Sequence, residues 1–144
     1  MDDKKKILFL CTHNAARSQM AEGFVNALYR DRYEAFSAGS EPTEVHPCAI
    51  DVMAEEGIDI ALQRAKPLDE YLDASFDYVV TMCADAQESC PIFPGAIFPG
   101  GIKYIHHAFD DPLSDAGPEG ARCASFRRVR DEVREWIGVT FGSR

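Results

Sequence analysis

The chain has 144 residues, of which 46% are hydrophobic and 27% are charged, so we expect one globular domain spanning residues 1–144. The net charge of −9 argues against a broad nucleic-acid surface, which needs clustered positive charge. The apolar runs are far shorter than the ~20 residues that cross a bilayer. The charged N-terminus leads only to the short apolar run 7–10, so we predict no membrane segment or secretory signal and a cytoplasmic location.

The spacing of hydrophobic residues predicts strands that alternate with helices. Residues 7–10 are apolar without alternation, which is typical of a strand covered on both faces. The predicted elements, in chain order, are a strand at 6–10, a helix at 18–28, a strand at 33–38, a helix at 47–56, a short helix at 67–72, a strand at 76–82, a strand within 103–109 and a closing helix around 126–137. This order predicts an α/β domain of three layers, with a four-stranded parallel sheet and helices on both faces.

Three residues that can carry chemistry follow directly after predicted strands. They are Cys11, Cys83 and Asp111. Ligands of open parallel sheets bind beyond the carboxyl ends of the strands. We therefore expect these three side chains to meet at one edge of the sheet.

The segment CTHNAARS at 11–18 has the form C-x5-R between a predicted strand and a predicted helix. Backbone N–H groups in such a loop, together with the helix dipole, can bind a tetrahedral oxyanion. Arg17 can clamp two of its oxygens, and Asn14 tolerates a left-handed backbone. The hydroxyls of Thr12 and Ser18 can donate to a Cys11 thiolate. The predicted oxyanion-binding residues are Thr12, His13, Asn14, Ala15, Ala16, Arg17 and Ser18. This loop suits hydrolysis and reduction equally, and alone it also fits a buried thiol beside a surface arginine.

The chain has five cysteines, an odd number that argues against a complete structural disulfide framework. We expect Cys48 and Cys123, on predicted helices, to be packing or surface thiols. The histidines at 46, 106 and 107 are expected to be ordinary surface or loop residues. Structural zinc sites usually bring cysteines in pairs two to four residues apart, and no such pair occurs here. We therefore expect neither a metal nor a cofactor.

Several motifs together resemble the arsenate reductases built on the low-molecular-weight protein tyrosine phosphatase fold. The resemblance covers about residues 6–138 and implies that fold. Its motifs are CTHNAARSQMAEG at 11–23, FSAG at 36–39, GIDI at 57–60, VVTMCADAQESCP at 79–91, FDDP at 109–112 and FRRVRDEV at 126–133.

The resemblance implies a catalytic set of Cys11, Cys83, Cys90, Arg17 and Asp111. Cys11 would attack arsenate, with phosphate or sulfate as competing anions, and Cys83 and Cys90 would pass a disulfide outward to thioredoxin. Glutaredoxin or a low-molecular-weight thiol remains open as the reductant. Asp111, before a proline, would protonate the leaving oxygen, and neighbouring Asp110 is the competing candidate.

Two other functions stay open. A protein tyrosine phosphatase of the same fold would share the loop, although Leu113 stands where those enzymes usually place an aromatic residue. A thiol module could bind arsenite or a soft metal through Cys11, Cys83 and Cys90.

The resemblance also bears on potassium, which some of its members bind behind the loop. Asn14, Glu22 and Ser37 match that cation site, but Lys66 replaces its aspartate. We therefore expect a Lys66–Glu22 pair and little potassium dependence.

Overall fold

A computed structural model describes residues 4–71, 74–83, 103–110, 112 and 119–142. The strands are β1 (Lys5–Cys11), β2 (Tyr33–Gly39), β3 (Tyr78–Thr81) and β4 (Lys103–His106), the α-helices are α1 (Arg17–Leu28), α2 (Pro47–Ala54) and α3 (Glu119–Phe141), and a 3₁₀ helix spans Leu68–Tyr71. The predicted alternation of strands and helices is confirmed. Within this part of the chain, no helix is long and apolar enough to cross a membrane.

The sheet has the strand order β2-β1-β3-β4, and every neighbouring pair is parallel. β1 therefore lies between two strands, which explains why its sequence is apolar without alternation. Its last residue, Cys11, pairs with Gly39 at the end of β2, and Leu10 pairs with Thr81 at the end of β3. The three strands thus end at a common edge, to which the predicted site residues Cys11 and Cys83 belong.

Successive residues of β1 point to opposite faces of the sheet and enter two separate cores. Ile7 and Phe9 pack in the larger core, to which α1, α2 and α3 all contribute. Leu8 and Leu10 pack in a smaller core, which the 3₁₀ helix covers through Leu68 and other partly buried residues. The predicted three layers and parallel sheet are confirmed, with the described α-helices gathered on one face and the 3₁₀ helix on the other.

The ends of α2 have local causes. Pro47 occupies the first turn, where a missing N–H costs nothing, and the His46 side chain caps the helix by accepting from Cys48 N–H. After the helix, Gly57 adopts a φ of 76°, a conformation that glycine takes without steric cost.

Candidate active site

The predicted anion loop connects β1 to α1. Cys11 ends β1 and Arg17 begins α1, so the loop lies at the carboxyl edge of a central strand. Asn14 has a φ of 51°, which confirms the predicted left-handed conformation. Six of the seven predicted oxyanion-binding residues are buried, and His13 is half-buried, with its ring Nδ1 3.1 Å from the carbonyl of Glu41.

The sulfur of Cys11 has a polarised partner inside the loop. Cys11 is a free thiol, and its Sγ lies 2.9 Å from Ser18 Oγ. Asn14 Nδ2 donates to that same oxygen at 2.8 Å. Because the Ser18 oxygen accepts from Asn14, its own hydrogen is available to point at Cys11. Ser18 can therefore donate a hydrogen bond to the Cys11 sulfur.

The Asn14 amide is held from behind the loop by two further hydrogen bonds. Its Oδ1 accepts from the backbone N–H of Lys66 at 2.9 Å and from Gln19 Nε2 at 3.0 Å. Gln19 in turn bonds to the carbonyl of Arg64 and to the side chain of Gln63. A buried, satisfied network of this kind keeps its members in one arrangement, so the orientation of Ser18 depends on groups far along the chain.

The loop carbonyls are all engaged. Those of Thr12, His13 and Ala15 accept from backbone N–H groups of the segment after β2, at 2.9, 3.1 and 3.0 Å. The Asn14 carbonyl accepts from Gln19 Nε2. In a trans peptide unit, the carbonyl and the following N–H point in opposite directions. The N–H groups of residues 13–16 therefore face away from these partners, as an oxyanion cup requires.

Gly39 makes this packing possible. A Cβ there would lie 2.6 Å from the Thr12 carbonyl oxygen, 2.8 Å from that of Cys11 and 3.0 Å from Asn14 N. All three obstacles are backbone atoms, which cannot rotate away as a side chain can. The close approach of β2 to the loop therefore requires glycine.

Arg17 ties the loop to the ends of the other two strands. The residue is 2% exposed, and its Nη1 donates to the carbonyls of Met82 and Phe109, each at 3.2 Å. Met82 directly follows β3, and Phe109 lies beyond β4. The guanidinium thus lies where three strand ends meet.

Cys83 lies at the same edge. It is 1% exposed, and its Sγ is 3.9 Å from Thr12 Oγ1, so its side chain contacts the loop. Cys83 is disulfide-bonded. Two of the predicted site residues, Cys90 and Asp111, lie outside the described residues. Asp110, the competing acid, is exposed and pairs with Arg128 at 3.2 Å, so its carboxylate is engaged on α3.

The expected Lys66–Glu22 pair forms behind the loop. Lys66 Nζ lies 3.7 Å from Glu22 Oε1 and donates to the Arg64 carbonyl at 2.7 Å, while Ser37 donates to Glu22 at 2.5 Å. Burial raises the pKa of Glu22 against the lowering effect of Lys66 and Ser37. Burial likewise lowers the pKa of Lys66, against the opposing effect of Glu22. An ammonium group therefore stands beside the Glu22 carboxylate behind the loop.

One expectation about the cysteines was wrong. Cys48 and Cys123 are not separate packing thiols but form a disulfide between α2 and α3. Their sequence separation of 75 gives no local signal of this proximity, which arises from the packing of the two helices. His46 lies in the loop before α2, as expected, but it is not an ordinary loop residue, since its side chain caps α2 and its backbone N–H donates to the carbonyl of Ala15 in the anion loop.

Sequence reasoning also missed Gln19 and the structural role of Gly39. The parallel pairing of Cys11 with Gly39 explains the glycine, but that register is a tertiary fact. Gln19 follows the motif within α1 and resembles any polar helix residue. Among the described residues, no three His, Cys, Asp or Glu side chains converge as a metal site would require.

Comparison with known proteins places this site in context. The family model described as low molecular weight phosphotyrosine protein phosphatase matches residues 6–138. The chain is 42% identical to an arsenate reductase of Bacillus licheniformis over 134 residues, which cover 93% of each protein.

Two solved structures are similar as well. An arsenate reductase in the phosphate binding state has a TM-score of 0.77 and 32% identity, over 94% of this chain and 95% of that chain. A thioredoxin-dependent arsenate reductase of Corynebacterium glutamicum has a TM-score of 0.64 and 29% identity, over 97% of this chain and 64% of that chain.

Proposed function

Because the chain belongs to the low molecular weight phosphotyrosine protein phosphatase family, we propose that it uses the anion loop of that fold to reduce arsenate to arsenite. The observation that carries this proposal is the position of Cys83. A phosphatase needs only the loop cysteine and an acid, whereas here a second, disulfide-forming cysteine contacts the loop through Thr12.

Arsenate would bind in the cup formed by residues 12–18. The N–H groups of residues 13–16 and the start of α1 would receive its oxygens, and Arg17 would neutralise part of its charge. Phosphate and sulfate have the same tetrahedral shape and would compete for this cup.

The first chemical step joins Cys11 to arsenic. The Cys11 thiolate, stabilised by Ser18, attacks arsenic and forms a sulfur–arsenic bond while an arsenic–oxygen bond breaks. Asp111 donates a proton to the departing oxygen, which leaves as water. The engagement of Asp110 with Arg128 supports Asp111 rather than Asp110 in this role.

The second step is the reduction itself. The Cys83 thiolate attacks Cys11 Sγ, and the electron pair of the sulfur–arsenic bond passes to arsenic. Arsenic(V) becomes arsenic(III), arsenite leaves, and a Cys11–Cys83 disulfide remains.

Cys90 then moves the disulfide away from the loop. Its thiolate attacks Cys83 Sγ, Cys11 leaves as a thiolate, and a Cys83–Cys90 disulfide forms. A thioredoxin dithiol reduces that bond and restores the enzyme. The combination of a free Cys11 and a disulfide-bonded Cys83 supports this order, because the last intermediate would have the same distribution.

A coupled assay tests the proposal. The protein is mixed with arsenate, thioredoxin, thioredoxin reductase and NADPH, and NADPH consumption is followed. Turnover should vanish in Cys11→Ser, Cys83→Ser and Cys90→Ser, while parallel reactions with glutaredoxin and glutathione identify the reductant. Turnover that survives Cys90→Ser would remove the third step. Hydrolysis of aryl phosphates without arsenate turnover would instead favour a phosphatase.

The neighbouring aspartates provide a matched pair for the acid. Asp111→Asn should lower kcat by roughly 10²-fold or more, because a positioned general acid contributes that much. Asp110→Asn should stay close to the wild type, since Asp110 pairs with Arg128 on the surface. The opposite ranking would transfer the acid role to Asp110.

A further inference from the structure

We propose that the Cys48–Cys123 bond is a second dithiol–disulfide couple, which clamps α2 to α3 and thereby holds the anion loop in place through His46. The effect of the clamp on turnover rests on the proposed function, whereas the clamp itself does not.

The clamp joins the N-terminal parts of two helices. Cys48 is the second residue of α2 (Pro47–Ala54) and Cys123 lies near the start of α3 (Glu119–Phe141). Their Cα atoms are 5.2 Å apart, within the range that a disulfide requires. At the other end of α2, Glu55 pairs with Arg127 and Arg130 of α3. α2 is therefore attached to α3 at both of its ends.

One side of the clamp reaches the anion loop through His46. The His46 ring accepts from Cys48 N–H at 3.0 Å and stacks on Phe126 of α3, with ring centroids 4.6 Å apart. The backbone N–H of His46 donates to the carbonyl of Ala15, inside the loop, at 3.0 Å. A displacement of the first turn of α2 would therefore pull on the loop directly.

The chemistry of the two cysteines suits reversible exchange with an external dithiol. Cys123 is partly exposed whereas Cys48 is 7% exposed, so the attacking thiolate reaches Cys123 Sγ first. Cys48 then leaves as a thiolate in the first turn of α2, where the helix N-terminus stabilises negative charge. The second thiol of the reductant resolves the mixed disulfide. Two electrons and two protons pass from the dithiol to the clamp.

The bond is tested by differential alkylation and mass spectrometry. Wild-type protein equilibrated with oxidised dithiothreitol should yield a linked Cys48–Cys123 peptide, and reduced dithiothreitol should release it. Free, fully alkylated Cys48 and Cys123 under oxidising conditions would overturn the proposal. So would a bond that a native-state reductant cannot open.

Variants then test whether the clamp acts as a unit. Cys48→Ser, Cys123→Ser and the double variant should each lower the Tm by roughly 10 °C, and the double variant should be no worse than either single one. Reduced dithiothreitol should lower the Tm of the wild type similarly. The same treatment of the double variant shows how much of this decrease comes from reduction of the Cys83 disulfide, because that variant has no Cys48–Cys123 bond to reduce. Additive losses would identify two independent packing contacts and overturn the clamp.

Turnover and anion affinity together test the positioning role. In the double variant, kcat for arsenate should fall by roughly 10-fold and the inhibition constant of phosphate should rise by a similar factor, because the loop is no longer held through His46 at Ala15. An unchanged kcat would overturn the positioning role. If the wild type reduces no arsenate, the proposed function fails, and the alkylation and Tm measurements still decide the clamp.

Discussion

The anion loop and the α2–α3 seam are held together in different ways. The seam is defined by Cys48 and Glu55 on α2 and by Cys123, Arg127 and Arg130 on α3. The loop is held mainly by backbone and amide hydrogen bonds among buried groups, with the Arg17 guanidinium at its end, whereas the seam relies on a disulfide and on partly exposed ion pairs. Neutral buried hydrogen bonds respond little to pH or redox state. Ion pairs respond to pH and salt, and disulfides respond to redox state. The anion loop should therefore be less sensitive to pH and redox state than the seam.

The largest expected effect comes from Asn14→Ala. The change leaves the Lys66 N–H and the Gln19 amide without their buried acceptor, and it places alanine at a φ of 51°. We expect a loss of about 3 kcal/mol in the free energy of unfolding, together with a large loss of kcat, measured by urea titration and by the arsenate assay.

Asn14→Gly is the matched control for Asn14→Ala. Glycine tolerates the left-handed backbone but cannot replace the amide, so it should recover about 1 kcal/mol of stability and none of the activity. Full recovery of activity in the glycine variant would mean that the amide network does not orient Ser18.

A smaller effect is expected for Gly39→Ala, which forces β2 away from the loop. The new Cβ would meet three backbone atoms at 3.0 Å or less, so we expect the free energy of unfolding to fall by about 2 kcal/mol. Phosphate should also raise the Tm of this variant less than it raises that of the wild type. Gly138→Ala in α3 is the control, because its Cβ meets only Tyr29 Oη at 3.6 Å. The free energy of unfolding of that variant should rise by a few tenths of a kcal/mol. Equal losses of stability in both variants would mean that the backbone contacts at Gly39 are not the cause.

The pH response should come from the seam. Hydrogen bonds from Arg127 and Arg130 lower the pKa of Glu55 from 4.5 to about 2. A carboxyl whose pKa is lowered by folding stabilises the folded state above its unfolded pKa and loses that effect as pH falls through the folded value. The Tm advantage of wild type over Glu55→Gln should therefore be full above pH 4.5 and shrink towards pH 2. Glu70→Gln, which removes the surface pair with Arg64 alone, should show a smaller change.

The smallest expected effect concerns potassium. Because the Lys66 ammonium already lies beside Glu22, potassium chloride and sodium chloride should support equal activity in the wild type. Lys66→Asp removes that ammonium and adds a carboxylate, so this variant should respond to potassium. A clear potassium activation of the wild type would mean that the ammonium does not substitute for a cation.

Local sequence was sufficient for much of the molecule. The non-alternating run at 7–10 predicted a central strand, and the C-x5-R segment between a strand and a helix predicted the anion loop with a left-handed Asn14. The predicted strand within 103–109 was confirmed only to His106, since strand ends depend on pairing partners rather than on composition. The roles of Cys90 and Asp111, and the organisation of residues 1–144 as one domain, stay predictions.

The amino-acid sequence by itself determined the order of the elements and the loop, because both depend on residues close together in the chain. The alternation of strands with helices in that order was enough to predict a parallel sheet. Only the tertiary structure decided that Gly39 must be glycine, that Gln19 and Lys66 hold Asn14, and that Cys48 meets Cys123. Each of these depends on the register of strands or on the packing of helices distant in sequence. Hydrophobic periodicity shows which face of an element is buried, but not which residue of another element it will meet.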